Sequence, residues 1–96
     1  MQLKSLRMFE AVCDSGSFGA AAQQLHTVQS NVTAHIKKLE EEVGAQLLSR
    51  ANPVFPTPAG RTLRQYARQM LQAHDQALAQ LQSEQLADGQ ASGVLR

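Results

Sequence analysis

Side chains that suit DNA recognition gather in one short stretch of the 96-residue sequence. The candidates combine amides, hydroxyls, an imidazole and two lysines: Gln29, Ser30, Asn31, Thr33, His35, Lys37 and Lys38. Amides form paired hydrogen bonds with base edges in the major groove, and lysines bind phosphates. The combination therefore favours a surface that reads duplex DNA.

Apolar residues in the same stretch indicate how these groups are displayed. Val32, Ile36, Leu39 and Val43 recur at helical spacing and predict a helix from about Gln29 to Val43, which Gly44 ends. The polar groups then lie along the side of the helix that is not packed. We expect this helix to enter the major groove as a recognition helix.

A short helix precedes the recognition helix and is separated from it by a very short connection. The segment 26–28 has room only for a tight corner, and the small side chains of Ala21 and Ala22 let another helix approach closely. A first amphipathic helix from about Leu3 to Asp14 comes before both. These patterns predict a helix-turn-helix, whose two helices cross at about 90 to 120°.

The residues after Gly44 predict a small β-hairpin. Two short extended segments flank the turn at Asn52 and Pro53, and Arg50 lies in the first of them. A hairpin beside a helix-turn-helix is a wing, which commonly lies along the DNA backbone or the minor groove. Arg50 is therefore the DNA-binding candidate outside the recognition helix.

A long final helix is predicted to begin at Thr57 and Pro58, a helix cap followed by a proline in the first turn. Its apolar stripe comprises Leu63, Ala67, Met70, Leu71, His74, Leu78 and Leu81. One small domain cannot bury so long a stripe, so we expect these residues to pair with a second copy of the chain. The alternative is a helix that folds back on its own core.

The expected fold class is mostly α, a winged helix-turn-helix of three helices and a small hairpin followed by a long dimerisation helix. Three parts follow from this organisation. Residues 1–58 form the DNA-binding domain, residues 59–88 the linker helix, and residues 89–96 a flexible hinge with a glycine- and serine-containing composition.

Composition sets limits but leaves the function open. Residues 1–68 carry eight basic against five acidic residues, whereas residues 69–96 carry one against three. Such an imbalance fits an ordinary solvated surface as well as a nucleic-acid face. A single cysteine, Cys13, and the lack of a long apolar run indicate a cytoplasmic protein without membrane spans.

Other chemistry finds little support. Cys13 and the three histidines lack metal-ligand spacing, so we expect no metal or cofactor. The triplet 40–42 of glutamates fits a solvated helix face better than an acid–base pair. No glycine-rich phosphate loop or nucleophile motif occurs, which argues against an enzyme. A helical protein-interaction module that does not read DNA is the alternative function.

The order of these parts resembles the N-terminal DNA-binding region of LysR-type transcriptional regulators. The resemblance is carried by "LKSLRMFEAVCDSGSFGAAAQQLHTVQSNVTAHIKKLEEEVGAQLLSR", which is similar to the family's first three helices, and by "PTPAGRTLRQYARQML", which is similar to the start of its linker helix. It implies an absent C-terminal domain that binds a small-molecule effector. It also implies a homodimer through the linker helix, and a tetramer in the full-length protein.

The resemblance also assigns site residues and shows departures. Gln29, Ser30 and Thr33 match positions of the recognition helix that reach DNA, with Lys37 and Lys38 behind them. The family usually has serine where this chain has a valine at 28, often has a basic residue at 34, and usually has two or three wing arginines. Here the wing carries one.

Overall fold

Four helices make up the computed structural model, which describes residues 1–87. They are α1 (Leu3–Ser15), α2 (Phe18–Gln24), α3 (Gln29–Val43) and α4 (Pro58–Ala87). The mostly helical fold class is confirmed. The predicted hinge at 89–96 lies outside the described residues.

Local sequence signals fix the helix ends. Gly16 has a left-handed φ of 74° and donates its N–H to Val12 O at 2.8 Å, which ends α1. Ser17 Oγ accepts the N–H of Ala20 at 3.1 Å and caps α2. Gly44 ends α3 in the same way as Gly16, with φ 72°. The observed bounds of α1 and α3 agree with the predicted ones to within one residue.

The turn between α2 and α3 is tight although it contains no glycine. His26 takes the left-handed conformation instead, with φ 57°, and Thr27 N donates to Ala22 O at 2.9 Å. Thr27 Oγ1 then accepts a hydrogen bond from Asn31 Nδ2 at 3.0 Å. The corner and the first turn of α3 are therefore held to each other.

The core forms where α1, α2 and α3 meet. Its largest side chains are aliphatic apart from Phe9, and Ala21 and Ala22 of α2 are buried among them. Small side chains at these two positions let α2 lie close to its neighbours. The fully buried large residues are Phe9, Leu6, Ile36, Leu39, Leu47, Leu48, Val12 and Val32.

The first half of α4 packs on this core, which corrects part of the predicted dimer stripe. Ala67 is fully buried and Leu71 is 9% exposed, both within the chain's own core. Leu63 and Met70 are partly buried against it. Ala67 and Leu71 are thus covered by the chain's own core, whereas Leu63 and Met70 are covered only in part, because α4 folds back farther than its sequence indicates.

The second half of α4 extends beyond the core. Residues 72–86 are all exposed, including His74, Leu78 (48%) and Leu81 (61%). The described chain measures 54 × 25 × 19 Å, and such elongation fits a projecting helix. No helix among residues 1–87 combines the length and apolar character needed to cross a membrane.

Ion pairs attach α4 to α1. Arg64 Nε donates to Glu10 Oε1 at 3.1 Å, and a second nitrogen of Arg64 pairs with Asp14. Arg7 Nη2 donates to Asp75 Oδ1 at 2.7 Å, and this hydrogen bond lowers the pKa of the Asp75 carboxyl. The pairs add polar contacts between α4 and α1 to the apolar packing of α4 on the core.

The predicted hairpin is replaced by a loop without strands within residues 1–87. This wing loop, residues 45–57, has one isolated antiparallel bridge, between Leu48 and Pro56. Ser49 N donates to Phe55 O at 2.8 Å, and Thr57 N donates to Leu47 O at 3.0 Å. The N–H of Phe55 donates to Ser49 Oγ at 3.0 Å and that of Val54 donates to Gly16 O at 2.9 Å, so neither extends the pairing.

Candidate nucleic-acid interface

The outer face of α3 exposes five of the predicted DNA-binding side chains. They are Gln29, Ser30, Thr33, Lys37 and Lys38. Val32, Ile36 and Leu39 hold the opposite side of the helix in the core, so the polar side faces outward. Among residues 1–87 neither lysine takes part in an ion pair, which leaves both charges free for an anionic partner.

An open groove of about 750 Å³ runs between α3 and the wing loop. Gln29, Thr33 and Lys37 line it from the helix, and Arg50 lines it from the loop. The structure therefore brings four of the predicted residues to one concave surface. Its mixture of amide, hydroxyl and cationic groups suits contacts with both bases and phosphates.

Two predicted residues, Asn31 and His35, are engaged inside the chain. Asn31 Nδ2 donates to Thr27 Oγ1, and His35 Nδ1 lies 2.8 Å from Ser5 Oγ on α1. Both side chains are half-buried. They lie on the flank of α3 away from the groove, where they fix the helix to its neighbours.

Arg50 is held by Glu40, a residue that the sequence interpretation placed on a solvated face. Arg50 Nη2 donates to Glu40 Oε1 at 3.1 Å, and Glu40 Oε2 also accepts the backbone N–H of Leu47 at 2.8 Å. Only 12% of the Glu40 side chain is exposed. Its sequence position four residues after Ile36, at the edge of the apolar face, is the signal that indicates this burial.

Cys13 lies at the edge of the core rather than in a reactive site. Burial raises the pKa of its thiol from 9.0 to about 11, while the nearby charge of Arg64 opposes the shift. The thiol therefore stays protonated at neutral pH. Within the described chain no group of three or more potential ligands is placed to hold a metal ion.

Sequence comparison identifies relatives across most of the chain. Residues 3–61 match the bacterial regulatory helix-turn-helix protein, lysR family. The HTH-type transcriptional regulator YofA of Bacillus subtilis (strain 168) is 46% identical over 78 residues, covering 80% of this chain and 27% of YofA. BenM of Acinetobacter baylyi is 42% identical over 80 residues, covering 82% of this chain and 26% of BenM. The chain thus spans about a quarter of these relatives' length.

Solved structures show the same arrangement of helices. The DNA-binding domain of BenM in complex with benA site 1 DNA superposes with a TM-score of 0.83 at 40% identity, covering 93% of this chain and 99% of that one. The CbnR DNA-binding domain in its DNA complex gives a TM-score of 0.81 at 29% identity, covering 88% and 98%. From these matches we conclude that the chain belongs to the lysR family of bacterial regulatory helix-turn-helix proteins.

Proposed function

We propose that the chain binds duplex DNA sequence-specifically, as the DNA-binding part of a transcriptional regulator, with α3 in the major groove. The observation that carries the proposal is the polar side of α3, which lines the groove. The opposite, apolar side of the helix is buried in the core, so the polar side faces outward. The similar domains of BenM and CbnR were solved in complexes with DNA. A cytoplasmic location follows from this role.

The position of each side chain along α3 suggests its role. Gln29, Ser30 and Thr33 occupy the first turns, from which amides and hydroxyls reach base edges. Lys37 and Lys38 lie farther along the same helix and meet phosphates. Asn31 and His35 keep α3 in place through their internal hydrogen bonds.

The wing loop makes fewer contacts with DNA than a wing rich in arginine would. Arg50 is its only basic residue, and the bonds from Arg50 to Glu40 and to Leu48 O keep the guanidinium near α3. We therefore assign Arg50 to the DNA backbone beside the recognition helix. This leaves base reading to α3.

A second copy of the chain pairs with the first through α4. Tyr66 (57% exposed) and Ala73, Ala77 and Leu81 lie on one side of this helix, next to an apolar groove of about 480 Å³ lined by Val43, Leu47, Leu63, Tyr66, Met70 and other residues. Antiparallel pairing seats the projecting end of each helix against the partner's domain. The two-fold axis then lies near Ala73, with Tyr66 facing the partner's Leu81.

Cross-linking tests this register. In a Cys13→Ser background, Ala73→Cys is expected to form a disulfide between copies rapidly, because the axis brings the two thiols together. Gln72→Cys, one residue away on another side of the helix, is the matched control and is expected to cross-link slowly. Equal rates for the two variants contradict the register.

YofA and BenM are each longer than this chain, which covers 27% and 26% of them. We infer that a full-length regulator of this kind binds a small-molecule effector through a further region and forms a tetramer. The helical interaction module without DNA reading is the alternative function. It accounts for the exposed end of α4 but does not explain the polar face of α3.

Selection of duplexes from a random pool by this chain separates the two functions. DNA reading predicts an enriched sequence with two half-sites about one helical turn, or a small multiple, apart, and an affinity that falls steeply with added salt. The interaction module predicts no enriched sequence and a flat salt response.

A further inference from the structure

Glu40 joins the recognition helix to the wing loop through both of its carboxylate oxygens. Oε2 accepts the backbone N–H groups of Leu47, at 2.8 Å, and Leu48, at 3.3 Å. Oε1 accepts a hydrogen bond from Arg50 Nη2 at 3.1 Å. A single side chain thus fixes the start of the loop and the arginine that follows it.

The two partners differ greatly in exposure. The Glu40 side chain is 12% exposed, whereas that of Arg50 is 62% exposed. Arg50 is nevertheless anchored twice, since Nη1 also donates to Leu48 O at 3.2 Å. A guanidinium has five N–H donors, so donors remain available to an external anion after these two bonds.

Both residues line the groove that also contains Gln29, Thr33 and Lys37. A duplex seated on α3 therefore brings its sugar–phosphate backbone past Arg50. An arginine that is already ordered loses less side-chain entropy when it binds a phosphate than a freely moving one does. The anchoring bonds thus favour the contact before DNA arrives.

The geometry points to Glu40 as a positioning residue that presents the Arg50 guanidinium to a DNA phosphate at the edge of the α3 groove. This inference rests on the proposed DNA-binding function. The Glu40 carboxylate is repelled by phosphate and does not touch DNA, so its effect passes through Arg50. In the opposite case, Glu40 neutralises Arg50 and weakens DNA binding.

A double-mutant cycle distinguishes these cases. The wild-type chain, Glu40→Gln, Arg50→Ala and the double variant are each titrated with the duplex that the wild type enriches most, and with random duplex, over a range of salt concentrations. Arg50→Ala is expected to lower affinity about tenfold on both duplexes and to reduce the salt slope by about one. Glu40→Gln keeps an oxygen that accepts a backbone N–H but loses the charge that holds Arg50. It is expected to lower affinity about threefold or more, and to have no further effect once Arg50 is absent.

Three results overturn the inference. Tighter binding by Glu40→Gln shows that Glu40 neutralises Arg50, and independent effects in the double variant show that Glu40 does not act through it. If the wild type binds DNA and Arg50→Ala binds it equally tightly, Arg50 does not contact a phosphate. The proposed function is unaffected by that result. A wild-type chain that binds neither duplex contradicts the proposed function itself.

Thermal melting followed by circular dichroism checks that each variant is folded. If Glu40→Gln unfolds, Arg50→Lys provides the decisive measurement, because it leaves Glu40 and its backbone contacts in place. Lysine keeps the positive charge but cannot form both anchoring bonds. The expected result is weaker binding with an unchanged salt slope, whereas wild-type affinity contradicts positioning.

Discussion

His35 on α3 and Ser5 on α1 lie 2.8 Å apart, measured from the imidazole Nδ1 to the hydroxyl Oγ. Ser5 is buried, and His35 is half-buried on the flank of the recognition helix away from the groove. Their hydrogen bond ties α3 to α1. His35 therefore holds α3, the proposed recognition helix, against α1, although its residue type and sequence position suggested direct contact with DNA.

Replacement of His35 by alanine is expected to lower the free energy of unfolding by about 1 kcal/mol, because the buried Ser5 hydroxyl loses its partner. The preferred DNA sequence and the salt slope are expected to stay the same. Ser5→Ala removes the same bond from the other side, so the double variant is no less stable than the worse single one. A changed base preference in His35→Ala, without a loss of stability, places His35 in contact with DNA.

The exposed leucines of α4 are expected to support dimerisation without supporting the fold. Leu78→Glu combined with Leu81→Glu yields folded monomers with weak DNA binding, because both side chains are exposed within one copy and Leu81 lies on the side of α4 that the proposed register places against the partner. Leu71→Glu, four residues from Ala67 on the buried side of the helix, instead lowers the free energy of unfolding by about 3 to 5 kcal/mol. Analytical ultracentrifugation and chemical denaturation measure the two effects. A dimeric Leu78/Leu81 variant places the interface elsewhere.

The close contact between α4 and the wing loop requires glycine at position 60. A Cβ atom at this position overlaps with the carbonyl oxygen of Leu47, so Gly60→Ala forces the backbone apart and lowers the free energy of unfolding by about 1 to 3 kcal/mol. Gly44→Ala is the matched control, with a left-handed φ of 72° and open space around the new methyl group. Its smaller expected loss, about 1 kcal/mol, reflects backbone conformation alone. Denaturant titration of both variants measures the difference, and an equal or smaller loss in Gly60→Ala contradicts the contact.

The Cys13 thiol makes the free energy of unfolding depend on pH in the alkaline range. Its pKa is raised from 9.0 to about 11 by burial, so the folded chain holds the thiol proton more tightly than the unfolded chain does. This contribution is fully present below pH 9 and is lost as pH rises towards 11. Relative to Cys13→Ala, the wild-type chain is therefore expected to lose stability across that interval. If the free energy of unfolding changes with pH equally in the two proteins, the thiol is not buried.

Helix ends were predictable from sequence because they depend on local chemistry. Gly16 and Gly44 take the left-handed conformation that glycine favours, and Ser17 and Thr57 supply hydroxyls to backbone N–H groups three residues later. The apolar spacing in α3 likewise determined which of its sides faces the core. Each of these features is set by residues within a few positions of one another.

Contacts between distant segments were not predictable in the same way. The sequence places Glu40 among three glutamates on a solvated face, but the wing loop folds against it. It places Leu71 in a continuous apolar stripe, but α1 covers this side chain. The predicted hairpin is reduced to one bridge within residues 1–87, because the N–H groups of Phe55 and Val54 bond to Ser49 Oγ and Gly16 O instead of extending the pairing. In each case the outcome depends on packing between elements, and spacing along the chain indicates at most that Glu40 borders the apolar face of α3.

The most direct measurement compares Gln29→Ala with Lys37→Ala on the enriched duplex and on a scrambled one, at two or more salt concentrations. Gln29→Ala is expected to weaken binding to the enriched duplex by about 1 to 3 kcal/mol and to relax the preference at one base pair. Lys37→Ala is expected to weaken both duplexes by a similar factor and to reduce the salt slope by about one. If Gln29→Ala weakens both duplexes equally and Lys37→Ala changes the base preference, α3 does not read DNA in the proposed orientation.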